Sequence, residues 1–222
     1  MVSCRLSLVL GILVTFFTLA LLDPILTSSE VRYLECRQKA HEGRIEYEAC
    51  IAKELSDEVL NETRAINDDE KCKNCKHFCR KQNEIIHCAR KVGNFTVTLS
   101  NKASYMVPFL RDVFEETIAA LCENDEEILK ALADTENTPC MDRHWEPCDS
   151  LLMVSGYFNK VFFCDSTDPA NSTFTPQYVC QKMHTALECL RLNSIHCLES
   201  LKKSITLLLS KLRSSASCSK YY

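Results

Sequence analysis

Cysteine is the feature that most constrains how this chain can fold. The sequence has 15 cysteines among 222 residues, against only 4 glycines and 6 prolines. Cys4 lies in an apolar N-terminal stretch, which leaves an even number, fourteen, in the body of the chain. An even set spread over an exported chain is typical of a disulfide framework. The predicted disulfide cysteines are Cys36, Cys50, Cys72, Cys75, Cys79, Cys88, Cys122, Cys140, Cys148, Cys164, Cys180, Cys189, Cys197 and Cys218.

The N-terminal stretch has the plan of a secretory signal peptide. Arg5 precedes an uncharged apolar run over 6–22, and turn-forming polar residues follow it. A basic start, an apolar centre and a polar end are typical of a leader that is removed during export. We predict a signal peptide over 1–28 and one cysteine-rich domain over 29–222. The alternative is a retained signal anchor, because the apolar run has the lower-limit length for crossing a membrane.

The pairing of the cysteines stays open, because fourteen thiols can pair in about 10^5 ways. Geometry can disfavour some pairs, and Cys189 with Cys197 is an example. On one unbroken helix Cys189 and Cys197 would lie about 12 Å apart, whereas a disulfide requires Cα atoms roughly 4.4 to 6.8 Å apart. These two cysteines can therefore join only if the chain turns at Asn193 and Ser194.

Three N-glycosylation sequons agree with an exported chain. They begin at Asn61, Asn94 and Asn171. The motif is short, but behind a signal peptide it indicates a glycan and therefore a surface position. We predict glycosylation at all three asparagines.

Helix-forming residues cover most of the chain, and no sustained two-residue alternation indicates a sheet. Apolar residues over 98–122 recur at the spacing of one helix face. Gly43 is a possible break, Gly93 with Asn94 would end a helix, and Pro108 would kink its helix or mark the first turn. The predicted helices span 30–58, 71–91, 98–122, 126–132, 138–163, 177–192 and 195–212, with a linker over 61–70 and a loop over 165–176. The predicted fold class is an all-α, disulfide-stapled helical bundle.

The densest cysteine cluster lies at Cys72, Cys75 and Cys79, which share one helix face with His77 nearby. Three thiolates and an imidazole could bind zinc. In an oxidising compartment, however, we expect each of the three thiols to reach a different neighbouring helix as a disulfide. A thioredoxin-like pair of Cys72 and Cys75 is disfavoured, because no predicted strand precedes it.

Composition and motifs exclude several classes of function. A formal net charge of −4 does not favour nucleic acid, and the scarcity of glycine argues against phosphate-binding loops and dinucleotide folds. The histidines are scattered, and neither a metalloprotease motif nor a nucleophile elbow is present. We therefore predict no catalytic residue, no metal, no cofactor, no nucleic-acid partner and no membrane contact after signal cleavage.

The apolar helix faces allow two interpretations. They form a closed core, which we favour, or they line a dry pocket for a lipid-like ligand, as in helical carriers. The spacing of apolar residues shows that a face is buried and does not show what covers it. The residues that would line such a pocket are Met106, Phe109, Leu110, Phe114, Phe158, Phe162, Phe163, Leu208 and Leu209.

Several sequence strings resemble the insect 27-kDa haemolymph glycoprotein family. They are YEACIAKEL over 47–55, NFT over 94–96, TIAALC over 117–122, Pro139-Cys140 with Cys148, and CQKM over 180–183 with LEC over 187–189, Cys197 and Cys218. The resemblance covers most of the mature chain and is firmest from residue 122 to 218. It implies a secreted, glycosylated, helical protein of arthropod body fluid with no established enzymatic role. It also implies disulfide roles for Cys50, Cys122, Cys140, Cys148, Cys180, Cys189, Cys197 and Cys218. A nematode family of secreted cysteine-rich helical domains is a poorer match.

These features together predict a secreted, non-enzymatic glycoprotein of a haemolymph-type extracellular fluid. It would act by binding, or as an abundant component of the fluid. One alternative is a carrier of a small apolar, lipid-like ligand in a helical pocket. The second is a salivary or venom protein such as a hydrolase inhibitor, for which the loop over 165–176 is the candidate inhibitory segment. The partner is unknown, with an apolar ligand or an extracellular protein as the candidates.

Overall fold

The computed structural model describes residues 28–56, 58–59, 61, 72–148, 163–166 and 173–222, and these form helices joined by short turns. The α-helices are α1 (Ser28–Glu54), α2 (Lys73–Arg80), α3 (Gln82–Thr96), α4 (Asn101–Cys122), α5 (Glu127–Ala133), α6 (Thr138–His144), α7 (Pro176–Asn193) and α8 (Glu199–Ser214). Turns of 3-10 helix occupy Asn124–Glu126, Ser194–His196 and Ser219–Tyr221. No strand occurs within these ranges, and the predicted all-α, disulfide-stapled fold is confirmed.

Some of the predicted features lie outside the described residues. These include residues 1–27 of the leader predicted over 1–28, most of the linker over 61–70 and the segment 149–162. Among the helices of the described part, none is both long enough and apolar enough to cross a membrane.

Helix α1 runs without a break through Gly43, so the expected break there is wrong. A Cβ atom on Gly43 would come within 3.2 Å of the Val92 side chain and 3.6 Å of the Thr96 side chain of α3. Glycine in a helix costs about 1 kcal/mol relative to alanine. Here it lets the two helices approach closely, next to the bridge between Cys50 and Cys88.

The predicted single helix over 71–91 is two helices. The chain turns at Lys81, whose N–H donates to the carbonyl oxygens of His77 and Phe78 at 3.0 and 3.1 Å. The second helix, α3, continues through Gly93 and Asn94 to Thr96, so the expected helix end at Gly93 is also wrong. Gly93 is buried, and a Cβ atom there would meet Val107 of α4 at 3.7 Å. That distance is an ordinary van der Waals contact, so α3 and α4 pack around Gly93 without an unusually close approach.

Helix α4 crosses the centre of the bundle. It begins with a cap in which Ser100 Oγ accepts from the N–H of Ala103 at 2.9 Å, and it continues through Pro108 as one element. Pro108 therefore lies in the helix interior and does not mark its first turn. The apolar face predicted from the residue spacing is buried, including Met106, Leu110, Phe114 and Ile118.

A left-handed turn joins α4 to α5. Asn124, Asp125 and Glu126 have φ values of 50°, 56° and 60°, a backbone region that disfavours residues with a Cβ atom. Lys130 Nζ donates to Asp125 Oδ2 at 2.8 Å across this turn. The turn reverses the chain directly after Cys122, so that α5 packs against α4 and α8.

The predicted long helix over 138–163 is wrong, because α6 ends at His144. The chain bends at Trp145, whose buried indole Nε1–H donates to Ser194 Oγ at 3.0 Å. Helix α7 ends at Asn193, and a 3-10 turn then leads into α8. The predicted turn at Asn193 and Ser194 is therefore present, and the start predicted at residue 195 for the last helix falls within it.

Buried apolar side chains form four clusters in the described part of the chain. The main core draws on all the helices and includes Phe78, Ile118, Trp145 and Ile205. The second cluster consists of Met106, Leu110, Phe174 and Val179, with Phe109, Phe163, Tyr178 and Met183 packed against it. The third cluster contains Cys36, Ala40 and Cys164. The fourth contains Val113, Cys180, Leu212 and Cys218.

Candidate functional site

Six disulfides join separate parts of the fold. They link α1 to residue 164, α1 to α3, α2 to α4, α6 to the turn before α8, residue 148 to α7, and α7 to the C-terminal segment. The pairs are Cys36–Cys164, Cys50–Cys88, Cys79–Cys122, Cys140–Cys197, Cys148–Cys189 and Cys180–Cys218. Their Cα atoms lie 5.4 to 5.9 Å apart, within the usual range for disulfides. Bridges of this number are typical of proteins in an oxidising, extracellular compartment.

The seventh bridge differs from the other six. Cys72 and Cys75 are three residues apart and pair with each other. Only Cys79 reaches another helix, so the expectation that each thiol of this cluster does so is wrong for the other two. The sequence spacing did not indicate this pair, because it places all three cysteines within one helix. In the structure Cys72 precedes α2 as its N-cap residue, and the first helical turn brings Cys75 next to it.

In the structure all three cysteines of this cluster are in disulfides, so none of them presents a thiolate to a metal ion. His77 is 2% exposed, and its Nε2 lies 3.1 Å from the carbonyl oxygen of Glu54. Within the ranges that the structure describes, no group of three or more histidine, cysteine and acidic side chains is arranged to hold a metal ion.

The nine residues predicted as a pocket lining do not form one site. Met106, Phe109, Leu110 and Phe163 meet in the second cluster, whereas Phe114 and Leu208 pack with the main core. Leu209 is buried elsewhere. Phe158 and Phe162 lie outside the described residues.

The second cluster is the best candidate for a binding site, because it is apolar and separate from the main core. It lies between the first half of α4 and the first half of α7. Of the four clusters described above, it is the one without a disulfide cysteine among its members. No disulfide therefore joins its two walls, and the bridges at the neighbouring residues Cys164 and Cys180 run to Cys36 of α1 and to Cys218.

A buried lysine lies at one end of this cluster. Lys102 is one helical turn before Met106 on α4, so the two side chains share a face. It is 8% exposed, and burial lowers the pKa of its ammonium group to about 8, partly opposed by the carboxylate of Asp165. A buried apolar cluster beside a buried cation complements the polarity of an amphiphile with an anionic head.

The ends of the predicted loop over 165–176 are anchored. Asp165 accepts hydrogen bonds from the N–H groups of Asn101 and Lys102, both at 3.1 Å, and so caps the N-terminus of α4. At the other end Phe174 is buried, and Thr175 Oγ1 accepts from the N–H of Tyr178 at 3.2 Å. Residues 167–172 lie outside the described part.

The structure places two of the three predicted glycosylation sites. Asn61 and Asn94 are exposed, whereas Asn171 lies outside the described residues. Asn94 is in the last turn of α3, and the hydroxyl of Thr96 in the same sequon is buried and donates to the carbonyl oxygen of Val92 at 2.9 Å.

Sequence reasoning missed the polar groups that organise this region. Lys102 is a single lysine in an apolar segment, and the sequence offers no sign that its side chain is buried. Asp165 accepts a hydrogen bond from the N–H of Asn101, 64 residues earlier in the chain. Ser194 accepts one from the indole of Trp145, 49 residues earlier. Such pairs depend on how distant elements meet.

Comparisons with known proteins assign no family to this chain. A scan against protein-family models, a search of curated proteins and a search of solved structures each find no significant match.

Proposed function

We propose that this chain is a secreted, non-enzymatic glycoprotein of extracellular fluid that acts by binding. The supporting observation is the set of six bridges between separate elements, since such a framework persists where thiols are oxidised. The predicted leader, the exposed asparagines of two sequons and the resemblance to the insect haemolymph glycoproteins support the same proposal.

Expression of the full chain in cultured insect cells tests export and glycosylation together. We expect the protein in the medium, with its N-terminus near residue 29 and no thiol that reacts with maleimide before reduction. Treatment with an N-glycosidase should lower the mass, and Asn61→Gln and Asn94→Gln variants should each lower it without enzyme. A chain that stays in the cytosol with reactive thiols would overturn the proposal.

The second cluster favours one kind of ligand, a small amphiphile that the protein would bind and carry. Its apolar side chains would hold an alkyl chain, and Lys102 would pair with an anionic head such as a carboxylate. A carrier of this kind would bind a fatty acid more tightly than the fatty alcohol of equal length, because only the acid gains the charge pairing.

Displacement of a fluorescent fatty-acid probe measures this difference. Lys102→Met keeps most of the apolar stem and removes the charge, so we expect it to weaken binding of the acid about tenfold and to leave the alcohol unchanged. Lys203→Met is the matched control on α8, where the side chain is exposed and pairs with Glu127. Failure of the protein to bind either compound would refute the carrier function and leave the proposal of an exported glycoprotein standing.

A further inference from the structure

The disulfide between Cys72 and Cys75 does not tie distant parts of the fold together. Both residues lie at the start of α2, and their sequence separation is 3. The helix is already held to α4 by the bridge between Cys79 and Cys122, one turn further along. The short bridge can therefore open without releasing α2 from the bundle.

The position of Cys72 stabilises a thiolate when this bridge is reduced. Cys72 is the N-cap residue of α2, and its Sγ accepts from the N–H of Cys75 at 3.2 Å. The N–H groups at a helix start favour negative charge, and low thiolate pKa values are found at such positions. No acidic residue lies in the first turn of α2.

The charges around the bridge also favour a thiolate. Among the described side chains of α2 and the turn after it, Lys76, Arg80 and Lys81 are basic and none is acidic. Lys81 Nζ lies 3.0 Å from a carboxylate oxygen of Glu54 on α1 and 3.5 Å from one of Glu84 on α3. Asp125 has its pKa lowered mainly by Lys130 and further by Lys76. Lys76, one helical turn after Cys72, is therefore the basic side chain that we expect to stabilise the thiolate.

The two sulfur-bearing residues differ in exposure. Cys72 is 8% exposed, whereas Cys75 is fully buried. An incoming thiolate therefore meets Cys72 first, and Cys75 is positioned as the residue that re-forms the bridge.

We propose that Cys72 and Cys75 form a thiol–disulfide exchange site, while the other six bridges serve as permanent cross-links. The reaction partner is a dithiol or two equivalents of a low-molecular-weight thiol. Its thiolate attacks Cys72 Sγ, the bond between Cys72 and Cys75 breaks, and the electron pair and a proton go to Cys75 Sγ. A second thiolate attacks the sulfur of the partner in this mixed disulfide and releases Cys72. The partner loses two electrons and two protons and becomes a disulfide. The protein gains the two electrons and the two protons and becomes a dithiol.

This inference goes beyond the proposed function, in which every bridge is only structural. It is tested on the purified, fully oxidised chain in buffers of reduced and oxidised glutathione, with alkylation of free thiols and peptide mapping by mass spectrometry. We expect Cys72 and Cys75 to be half reduced at a thiol concentration at least tenfold below that needed for any other bridge. Reduction of another bridge first, or of all seven together, would overturn the proposal.

Variants separate the exchange site from general loosening of the fold. Cys72→Ser with Cys75→Ser should abolish the early reducible fraction and leave the other six bridges intact. The matched control, Cys180→Ala with Cys218→Ala, also removes one bridge and should keep that fraction. Lys76→Glu should slow exchange at Cys72 at least threefold, whereas Lys202→Glu should not. An unchanged rate in Lys76→Glu would refute the role assigned to Lys76.

Discussion

Removing the bridge between Cys36 and Cys164 tests how far the fold depends on long-range cross-links. Replacement of both cysteines by alanine leaves small apolar side chains in two buried positions. The bridge has a sequence separation of 128, the largest of the seven. It also forms the third cluster, in which Cys164 packs beside Ala40 of α1.

The chain-entropy account gives the expected magnitude. A bridge with a sequence separation of 128 lowers the conformational entropy of the unfolded chain, which stabilises the folded state by about 5 kcal/mol. A separation of 3 gives about 1.6 kcal/mol for the bridge between Cys72 and Cys75. The other bridges shorten the path between residues 36 and 164, so we expect a loss of about 4 kcal/mol for the long bridge.

Urea unfolding without reductant, followed by circular dichroism, measures both losses. The matched variant is Cys72→Ala with Cys75→Ala, which also removes two cysteines and one bridge. Hydrogen exchange should show faster exchange over 28–40 in the long-bridge variant, because the first half of α1 loses its covalent attachment. Equal losses in the two variants, or a larger loss for the short bridge, would refute the reasoning from loop length.

Three further predictions concern single side chains. Ser194→Ala should lower the free energy of unfolding by about 1–3 kcal/mol, because the indole N–H of Trp145 loses its buried acceptor; urea titration measures this, and no loss would contradict it. Gly43→Leu should lower it by about 1–3 kcal/mol through overpacking against Val92, which a drop in melting temperature would show. Burial lowers the Lys102 pKa from 10.5 to about 8, so between pH 8 and 9.5 the unfolded chain binds more protons and stability should rise with pH. Urea titrations across this range should show a smaller rise in Lys102→Met.

The sequence predicts the class of this fold well, because helix-forming residues and an even set of cysteines are local and compositional signals. It predicts helix ends less well. Backbone freedom alone predicts that Gly43 and Gly93 break their helices. In the structure both helices continue, and Gly43 lets α1 and α3 approach closely, a contact that depends on tertiary packing.

The pairing of the cysteines could not be predicted for the same reason. Six of the bridges connect residues 38 to 128 positions apart, and their proximity exists only after the helices have packed. The seventh is local, and its spacing was visible in the sequence. Its pairing was missed because Cys72 lies before the first turn of α2 and not within the helix, where three cysteines would simply share a face.

The distribution of bridges among the apolar clusters bears on where the proposed apolar ligand would bind. Three clusters contain disulfide cysteines, and separating their walls would require those bridges to be strained or broken. No disulfide joins α4 to α7, the two walls of the second cluster, because the nearby bridges of Cys164 and Cys180 run to α1 and to the C-terminal segment. An alkyl chain could replace contacts there between side chains such as Met106 and Met183, because methionine adapts its shape at little cost. Under the proposed carrier function, we therefore expect the core to open at this cluster, next to Lys102.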